Sequence, residues 1–252
     1  MTGRAAHGAL PPSGARHVLA YNWPMYTAGS AAVLAGAVIG RRYRAAWAGS
    51  ALAAWWLSSS LIASHRVYDR STLHSWRWLD VVLPEGPGRH LVVSAGLDEA
   101  SEVLRARHPR APQTIADLYD GLPVTESSLR RARRRVPPQP GSLTAWAQRL
   151  PGADASYDTV IAPFAVHELR RAVDREALLD ECARLLRPGG AVVLVEHCRD
   201  AANAAVYGPG AWHFMPRGEW LRLAARSGLT VAHESRIARY VTVLVLRRRA
   251  RT

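Results

Sequence analysis

The sequence contains no lysine and only two cysteines, and both features narrow the classes of protein to consider. Cys182 and Cys198 lack the short spacing of a metal site, and they suggest no disulfide framework. This cysteine usage suits a reducing compartment. Because lysine is absent, arginine carries the whole basic charge, and a compositional bias explains part of that charge.

Basic residues outnumber acidic ones and give a formal net charge of +13. A polyanion binds clustered basic side chains through counterion release, so a nucleic-acid partner has to be considered. The clustering is local, however, with one dense run at residues 130–135 and another at 247–251. We therefore do not expect nucleic acid as a partner. An anionic membrane surface fits better, because each nearby basic residue adds about 1 kcal/mol there.

Two uncharged stretches, residues 25–39 and 45–64, flank an arginine-rich turn near the N-terminus. The second has roughly the length of a bilayer span, and Gly36 and Gly40 have the spacing that lets two helices approach closely. The pattern predicts a helical hairpin that anchors the chain in a membrane, with the rest of the chain on the cytoplasmic side. A buried hairpin or an in-plane anchor is the alternative. A cleavable signal peptide fits poorly, because a second apolar stretch follows the first.

These features divide the chain of 252 residues into four segments. We predict a flexible N-terminus over residues 1–23, the hairpin over 24–64, an amphipathic connector over 65–78 and one α/β domain over 79–252. The connector mixes tryptophan with arginine, which suits either an interfacial helix or a helix packed on a sheet. A hydrophobic content of 48% excludes a wholly disordered protein.

The clearest structural signal lies between Tyr157 and His197. An apolar strand is followed by a loop, by a helix with apolar residues at three- and four-residue spacing, by an Arg-Pro-Gly-Gly turn and by a second apolar strand. Proline cannot continue the helix, and glycine takes the positive φ of a C-terminal cap. This order predicts two central parallel strands of a doubly wound α/β sheet.

The strings YDTVIAPFAVHEL and LLRPGGAVVLVEH resemble the fourth and fifth strand motifs of class I S-adenosylmethionine-dependent methyltransferases. Near the end of the chain, RGEWLRLAARSGLTV and RYVTVLVLRR are similar to the last helix and the last two strands of that family. The strings GLDEAS, HE and GPG are similar to those of an uncharacterised membrane-anchored group within it. The resemblance implies a mostly parallel seven-stranded Rossmann-like sheet, methyltransferase activity and S-adenosylmethionine as cofactor.

The resemblance places cofactor contacts in the loop after the first strand. Ser94 and Gly96 are small enough for a tight turn there, although the loop keeps one glycine where the family has a glycine-rich sequence. Asp98 or Glu99 either accepts hydrogen bonds from the methionyl ammonium or caps the next helix.

Further cofactor contacts are implied at the ends of two other strands. Asp117 is implied to hold the ribose hydroxyls, and Asp120 is the alternative, although a plain turn role for Asp120 is equally compatible with the sequence. Ala162, near the end of the fourth strand, is a further implied contact. An acidic residue for the adenine amine is not evident.

Three histidines, His167, His197 and His213, follow the fourth and fifth strands, where this fold carries its chemistry. Each is a candidate catalytic base for a neutral oxygen or nitrogen acceptor, although a lone loop histidine is more often a surface or hydrogen-bonded residue. A site with histidine and glutamate metal ligands is formally possible, but no adjacent helical pair enforces it. The sequence therefore predicts no metal.

A long aromatic loop over residues 203–214 is expected to lie over the acceptor pocket. Its Tyr207, Trp212 and Phe214, together with Glu168, are candidate substrate-binding residues, and a packed cover for the sheet edge is the alternative. With the predicted anchor, the loop favours a small hydrophobic or lipid-like acceptor, such as a quinone precursor, at the membrane. The competing hypothesis is a catalytically silent member of the fold that serves as a membrane interaction or sensor module. The sequence predicts no oligomeric state.

Overall fold

The structure, a computed structural model, describes residues 14–123 and 125–249. The chain divides after Arg70 into two compact units, one helical and one α/β. Part of the predicted flexible N-terminus is helical from Gly14 onwards, and residues 1–13 lie outside the described part. The predicted connector over residues 65–78 is split by the boundary between the units.

The helical unit contains the predicted hairpin. Its elements are α1 (Gly14–Tyr21), α2 (Trp23–Gly40), α3 (Ala45–Ser64) and a π-helical turn (His65–Asp69). Small residues allow α2 and α3 to pack closely, since a Cβ at Gly36 would overlap Ser50 Oγ. The hydroxyl of Ser50 also donates to the carbonyl of Val33 at 3.0 Å, which ties the two helices together.

The predicted membrane location is wrong. Across residues 14–123 and 125–249, no helix combines the length and the apolar character that crossing a bilayer requires. The physical reason lies in composition, because α2 and α3 are rich in alanine, glycine and serine, which offer little apolar area. The hairpin is present, but the membrane-associated, cytoplasm-facing placement that we expected from it is not supported.

The α/β unit is built on one seven-stranded sheet with the order β3-β2-β1-β4-β5-β7-β6. Only β7 runs antiparallel to its neighbours, which are β5 and β6. This topology confirms the predicted doubly wound, mostly parallel sheet. The strands are β1 (His90–Ser94), β2 (Gln113–Asp117), β3 (Leu143–Thr144), β4 (Tyr157–Pro163), β5 (Leu186–His197), β6 (Leu229–Ile237) and β7 (Val241–Arg248).

Helices cover the sheet and complete the core. Leu178, Cys182 and Leu185 on α7 are fully buried, as their spacing predicts, and α7 packs on β4 and β5. Gly189 has the expected positive φ, at +79°, but Leu186 is the C-cap of α7, so the glycine follows the cap and does not form it. The helices of this unit are α4 (Leu79–Val82), α5 (Ser101–Arg107), α6 (Ser127–Arg135), α7 (Ala172–Leu185), α8 (Ala201–Tyr207) and α9 (Arg217–Arg226).

The strand order changes direction between β1 and β4, and this change positions the site. β1 pairs with β2 on one side and with β4 on the other, all in parallel. In open α/β sheets, ligands bind beyond the carboxyl ends of the strands at such a switch point. The loops after β1, β2, β4 and β5 therefore define the region where function is expected.

Candidate active site

The loop after β1 makes a tight turn at Gly96. This residue has a φ of +105°, and a Cβ in its place would overlap the ring of Tyr119. The Gly96 N–H donates to Ser94 Oγ at 3.3 Å, which helps to close the turn. Both the backbone conformation and the close approach of Tyr119 require glycine here, so the single glycine of the loop lies where a tight turn needs it.

Asp98 has two oxygens in different situations. Its Oδ1 accepts hydrogen bonds from the backbone N–H groups of Ala100 and Ser101, both at 2.9 Å, and so stabilises the start of α5. Its Oδ2 is buried and has no hydrogen-bond partner among the described residues. A buried acceptor in this state costs about 1–3 kcal/mol, so it is suited to a ligand that donates hydrogen bonds. Helix stabilisation and ligand binding, the two predicted functions of Asp98, are therefore compatible.

Asp117 ends β2, as predicted, but its carboxylate already has partners. Oδ2 lies 2.6 Å from Nη1 of Arg133, and Oδ1 accepts from the N–H of Tyr119 at 3.1 Å. The Arg133 guanidinium also lies 4.9 Å from the centroid of the Tyr119 ring, and its Nη1 donates to the Gly96 carbonyl at 3.5 Å. Arg133 and Tyr119 thus cover the edge between β1 and β2.

The sequence analysis missed Arg133, because it belongs to a run of arginines on α6 that reads as a basic surface helix. One signal was available, since Arg133 directly follows Ala132, which α6 buries together with Leu129. Two other predicted cofactor contacts are less informative. Glu99 is partly buried in the loop before α5, and Ala162 is fully buried one residue before the end of β4.

His167 lies on the 3-10 turn after β4, between two carboxylates. Its Nδ1 is 2.6 Å from Oε2 of Glu196, and its Nε2 is 3.2 Å from Oε1 of Glu168. Glu196 is almost completely buried, and its Oε1 accepts from the backbone N–H groups of Val166 and His167 at 3.1 and 3.3 Å. One carboxylate on β5 therefore holds both the imidazole and the backbone of the loop that carries it.

The electrostatics of this cluster favour a charged histidine. Burial alone would lower the pKa of His167, but the nearby carboxylates of Glu196 and Glu168 outweigh it and raise that pKa to about 10. Burial would raise the pKa of Glu168, yet hydrogen bonds from His167 and His213 hold it well below its usual range. At neutral pH the cluster thus contains a buried imidazolium and an ionised Glu168.

His213 is the member of the cluster that solvent reaches, since 30% of its side chain is exposed. Its Nε2 lies 3.8 Å from Oε1 of Glu168, and its ring centroid lies 5.2 Å from that of His167. Nη2 of Arg170 donates to Nδ1 of His213 at 2.6 Å and lies 3.2 Å from Oε1 of Glu126. A cation therefore borders the exposed side of the cluster.

His197 takes a different place from the other two predicted histidines. Successive side chains on a strand point to opposite faces, so Glu196 joins His167 while His197 points away. The His197 ring stacks on Phe214 at 4.8 Å and meets Tyr207 edge-on at 5.7 Å, and its Nδ1 donates to the Tyr240 carbonyl at 3.0 Å. Burial lowers its pKa to about 4, so His197 is a neutral part of an aromatic wall.

Residues 203–214, predicted as a loop, form the end of α8 and a 3-10 turn, and their aromatic residues separate into two groups. Tyr207 and Phe214 pack edge to face at 5.7 Å and belong to the wall beside His197. Trp212 is 74% exposed and lies under the Arg199 guanidinium at 5.1 Å, outside that wall. The structure thus packs Tyr207 and Phe214 against His197 and leaves Trp212 on the surface.

Glu196 and Arg170 are site residues that sequence reasoning did not select. Glu196 carried a signal, since a carboxylate at the end of an otherwise apolar, two-faced strand must find a partner when it is buried. Arg170 follows the His-Glu pair by a short interval, but nothing in the sequence shows that it meets His213, which comes 43 positions later.

Comparison with known proteins agrees with this geometry. A family model described as a methyltransferase domain matches residues 97–194. The match begins in the loop after β1, directly after Gly96, and ends within β5. This match identifies a methyltransferase domain over those residues. The fold also matches the crystal structure of the PH0226 protein from Pyrococcus horikoshii, with a TM-score of 0.51 and 15% identity over 70% of this chain and 89% of that one.

The curated relatives that match part of the chain include two methyltransferases. Demethylmenaquinone methyltransferase of Mycolicibacterium paratuberculosis is 41% identical over 88 residues, which are 34% of this chain and 35% of the relative. The ubiquinone/menaquinone biosynthesis C-methyltransferase UbiE of Syntrophotalea carbinolica is 28% identical over 137 residues, 52% of this chain and 54% of the relative. The chain thus spans between about a third and about half of the length of these relatives.

Proposed function

We propose that this protein transfers a methyl group from S-adenosylmethionine to a small hydrophobic acceptor that carries a hydroxyl next to its reacting carbon, as a quinol does. The observation that carries the proposal is the cluster of His167, Glu168, His213 and Glu196 beyond β4 and β5, with an aromatic wall beside it. The names of the quinone methyltransferase relatives support the same acceptor class.

The residues at the β1–β2 edge fit the cofactor. Because Gly96 has no side chain, the cofactor can approach the backbone of the loop closely. The buried Asp98 Oδ2, which lacks a hydrogen-bond partner among the described residues, suits the ammonium of the methionyl group. The Asp117 carboxylate suits a pair of ribose hydroxyls once Arg133 moves away. When bound, the cofactor supplies an electrophilic methyl group on a sulfonium.

The aromatic wall suits an apolar acceptor. Phe214 and the neutral His197 stack, and Tyr207 closes one side at right angles. Such surfaces bind flat rings through apolar burial, with a few polar groups fixing the orientation. The polar groups next to this wall are those of the cluster, since His213 and Phe214 are sequence neighbours with ring centroids 6.1 Å apart.

The cluster has a chemical function in this proposal. A quinol carbon becomes a better nucleophile when the neighbouring hydroxyl loses its proton. His213 is the exposed imidazole that accepts that proton once Arg170, which donates to its ring, turns towards Glu126. The Glu168 carboxylate then stabilises the His213 imidazolium. After the transfer, the methylated carbon loses its own proton to solvent and the ring becomes aromatic again. His167, held between Glu196 and Glu168, keeps Glu168 ionised and fixed. Positioning and proton transfer together supply the rate.

The experiment has two stages that test cofactor and acceptor separately. Calorimetric titration with S-adenosylmethionine and its demethylated product tests the cofactor site. Label transfer from methyl-labelled cofactor to a prenylated 1,4-naphthoquinol then tests the acceptor, and the corresponding naphthoquinone, which has no hydroxyl, is the control. We expect label in the quinol only. Absence of cofactor binding at millimolar concentration would instead favour a catalytically silent module of this fold.

A pair of variants tests the function of His213. His213→Ala should lower transfer by about 10²–10⁴-fold, the usual contribution of a general base, with little change in cofactor affinity. His233→Ala, at an exposed position on β6, is the matched control and should leave transfer unchanged. Equal activity of the two variants would remove His213 from the mechanism.

A further inference from the structure

The cluster beyond β4 contains two imidazoles and a carboxylate in the arrangement of a metal site. We propose that His167, Glu168 and His213 bind one divalent transition-metal ion. The ligands would be Nε2 of His167, which gives up its proton to solvent as the ion binds, a carboxylate oxygen of Glu168 and a ring nitrogen of His213. The proposal concerns ion binding, and it does not depend on the acceptor or on methyl transfer.

The spacing of the ligand atoms supports one shared ion. One ligand atom from each of the three residues lies within 4.8 Å of the other two. Oε1 of Glu168 is 3.2 Å from Nε2 of His167 and 3.8 Å from Nε2 of His213. Two ligands at about 2.1 Å from a tetrahedral ion are separated by about 3.4 Å. The two Glu168–histidine pairs therefore need shifts of a few tenths of an ångström, and the two imidazoles must approach each other by up to about 1.4 Å.

Glu196 orients His167 as the partner of a metal ligand does. It lies 2.6 Å from Nδ1, which leaves Nε2 directed at Glu168. Histidines that bind metals typically donate their other N–H to a carboxylate, which fixes the ring and increases its basicity. Glu196 is itself held by two backbone N–H groups, so the orientation of the His167 ring is set by the fold.

Glu168 provides an independent observation. Its Oε2 is buried and has no hydrogen-bond partner in the described part of the chain. A carboxylate oxygen left in this state is costly, and coordination would satisfy it. The site is also accessible, because the side chain of His213 is 30% exposed and a ligand can enter on that side.

Arg170 occupies the position of a competing cation. Its Nη2 lies 2.6 Å from Nδ1 of His213 and 3.8 Å from Oε2 of Glu168. A metal ion and this guanidinium cannot share those ligands, and Glu126, at 3.2 Å from Nη2, is the partner to which Arg170 can move. Removal of Arg170 should therefore strengthen metal binding, which is the opposite of what removal of a ligand does.

The donor set selects the kind of ion. Two imidazoles and one carboxylate suit zinc, iron(II) or cobalt(II), whereas magnesium and calcium prefer oxygen ligands. Three protein ligands leave a position open for a hydroxyl of an acceptor, whose proton is lost more readily when it binds an ion. In the ion-bound protein, His213 is a ligand and not a proton acceptor, so the two functions exclude each other.

The test measures metal and needs no methyl acceptor. The full chain is dialysed against chelator and titrated with cobalt(II), with visible absorption as the readout, and zinc(II) is titrated by calorimetry. We expect one ion per chain and a cobalt spectrum of low coordination number. Absence of saturable binding of either ion at millimolar concentration would overturn the proposal and leave the methyltransferase proposal intact.

Variants then assign the ligands. His213→Ala and Glu168→Gln should each weaken zinc binding by at least about 10–100-fold, and Glu196→Gln should weaken it by about 10–100-fold through His167. Arg170→Met should bind zinc more tightly than wild type, and His233→Ala should match wild type. If Glu168→Gln does not fold, the zinc affinity of His213→Ala, a change at a partly exposed residue, still tests the assignment. Wild-type affinity in His213→Ala would place the ion elsewhere and overturn the assignment.

Discussion

The two halves of the carboxyl edge of the sheet arrange their charges differently. Beyond β4 and β5, Glu196 and His167 form a buried pair that is built from strand ends and backbone hydrogen bonds. Beyond β1 and β2, Asp117 instead pairs with Arg133, which comes from the separate helix α6. Under the proposed function, the β4–β5 side is a preformed acceptor half, because it depends on the sheet. The β1–β2 side is a cofactor half that must rearrange, because it depends on the side chain of Arg133.

The largest effect is expected on the acceptor half. Glu196→Gln removes the carboxylate that outweighs the burial of His167, and loss of one partner of a buried charge costs about 3–5 kcal/mol. Cofactor affinity should not change, since Glu196 lies outside the β1–β2 edge. Denaturant unfolding and calorimetric titration measure the two quantities. Glu176→Gln, which removes an exposed partner of Arg226, is the control and should cost less than about 1 kcal/mol.

The same variant has a predictable dependence on pH. The pKa of His167 is raised to about 10 in the folded protein, so its stabilisation is fully present below its ordinary pKa and is lost as the pH rises through about 10. Wild type should therefore lose stability between pH 6.5 and 10, and Glu196→Gln should lose much less over that range. Parallel curves for the two proteins would mean that the acceptor half is not organised by this pair.

His197, in the same half, has the opposite effect on the pH dependence of stability, because its pKa is lowered and that of His167 is raised. Folding lowers the pKa of His197 from 6.5 to about 4. Between pH 4 and 6.5, His197 is therefore protonated in the unfolded chain and neutral in the folded chain. Stability should decrease by up to roughly 3 kcal/mol as the pH falls through this window. His197→Phe, compared with the exposed control His233→Phe, should flatten this slope. An unchanged slope would show that His197 does not have the buried, neutral state described above.

A glycine substitution tests the cofactor half. Gly96→Ala forces a side chain into a positive φ and against Tyr119, whereas Gly141→Ala has a similar φ of +79° with nothing within 4 Å. The shared backbone strain is on the order of 1–3 kcal/mol, so only the close approach distinguishes the variants. We expect Gly96→Ala to be less stable than Gly141→Ala and to lose cofactor binding. Equal losses of stability would mean that Tyr119 yields at little cost.

The smallest effect concerns the movable cation itself. If Arg133 must leave Asp117 before the cofactor binds, only the open fraction of molecules is competent, and Arg133→Met should raise affinity by about tenfold. Arg134→Met, on the exposed side of the same helix, is the control. A lower affinity in Arg133→Met would mean that the guanidinium holds the cofactor and that both halves are preformed.

Local patterns were sufficient to predict two central strands of the sheet, and the family resemblance supplied its seven-stranded, mostly parallel form. The strands at Tyr157 and Ala191, the helix between them and its proline-glycine turn follow from spacing and backbone chemistry alone, and the structure contains all of them. The hairpin was also predictable as helices, but its membrane location was not. An uncharged helix is compatible with several environments. Because alanine, glycine and serine make up much of α2 and α3, their lack of charge does not make them apolar enough to span a bilayer.

The site was less predictable because its partners are distant in sequence. The pairing of His167 with Glu196 crosses 29 positions, and only the register between β4 and β5 brings the two together. The position of Asp117 at a strand end could be predicted, but its pairing with Arg133 depends on how α6 packs. Trp212 shows the same limit, since aromatic composition does not reveal which face of a loop is buried.

Arg175 on α7 has a consequence for the loop that carries His167. Its buried guanidinium donates to the carbonyl of Leu169 at 2.7 Å and to that of Arg170 at 2.9 Å. The backbone of the loop is thus ordered when the chain folds, and that entropy has already been lost before a ligand arrives. A ligand that meets this loop is selected by its fit to fixed donors and acceptors, and it does not have to organise them.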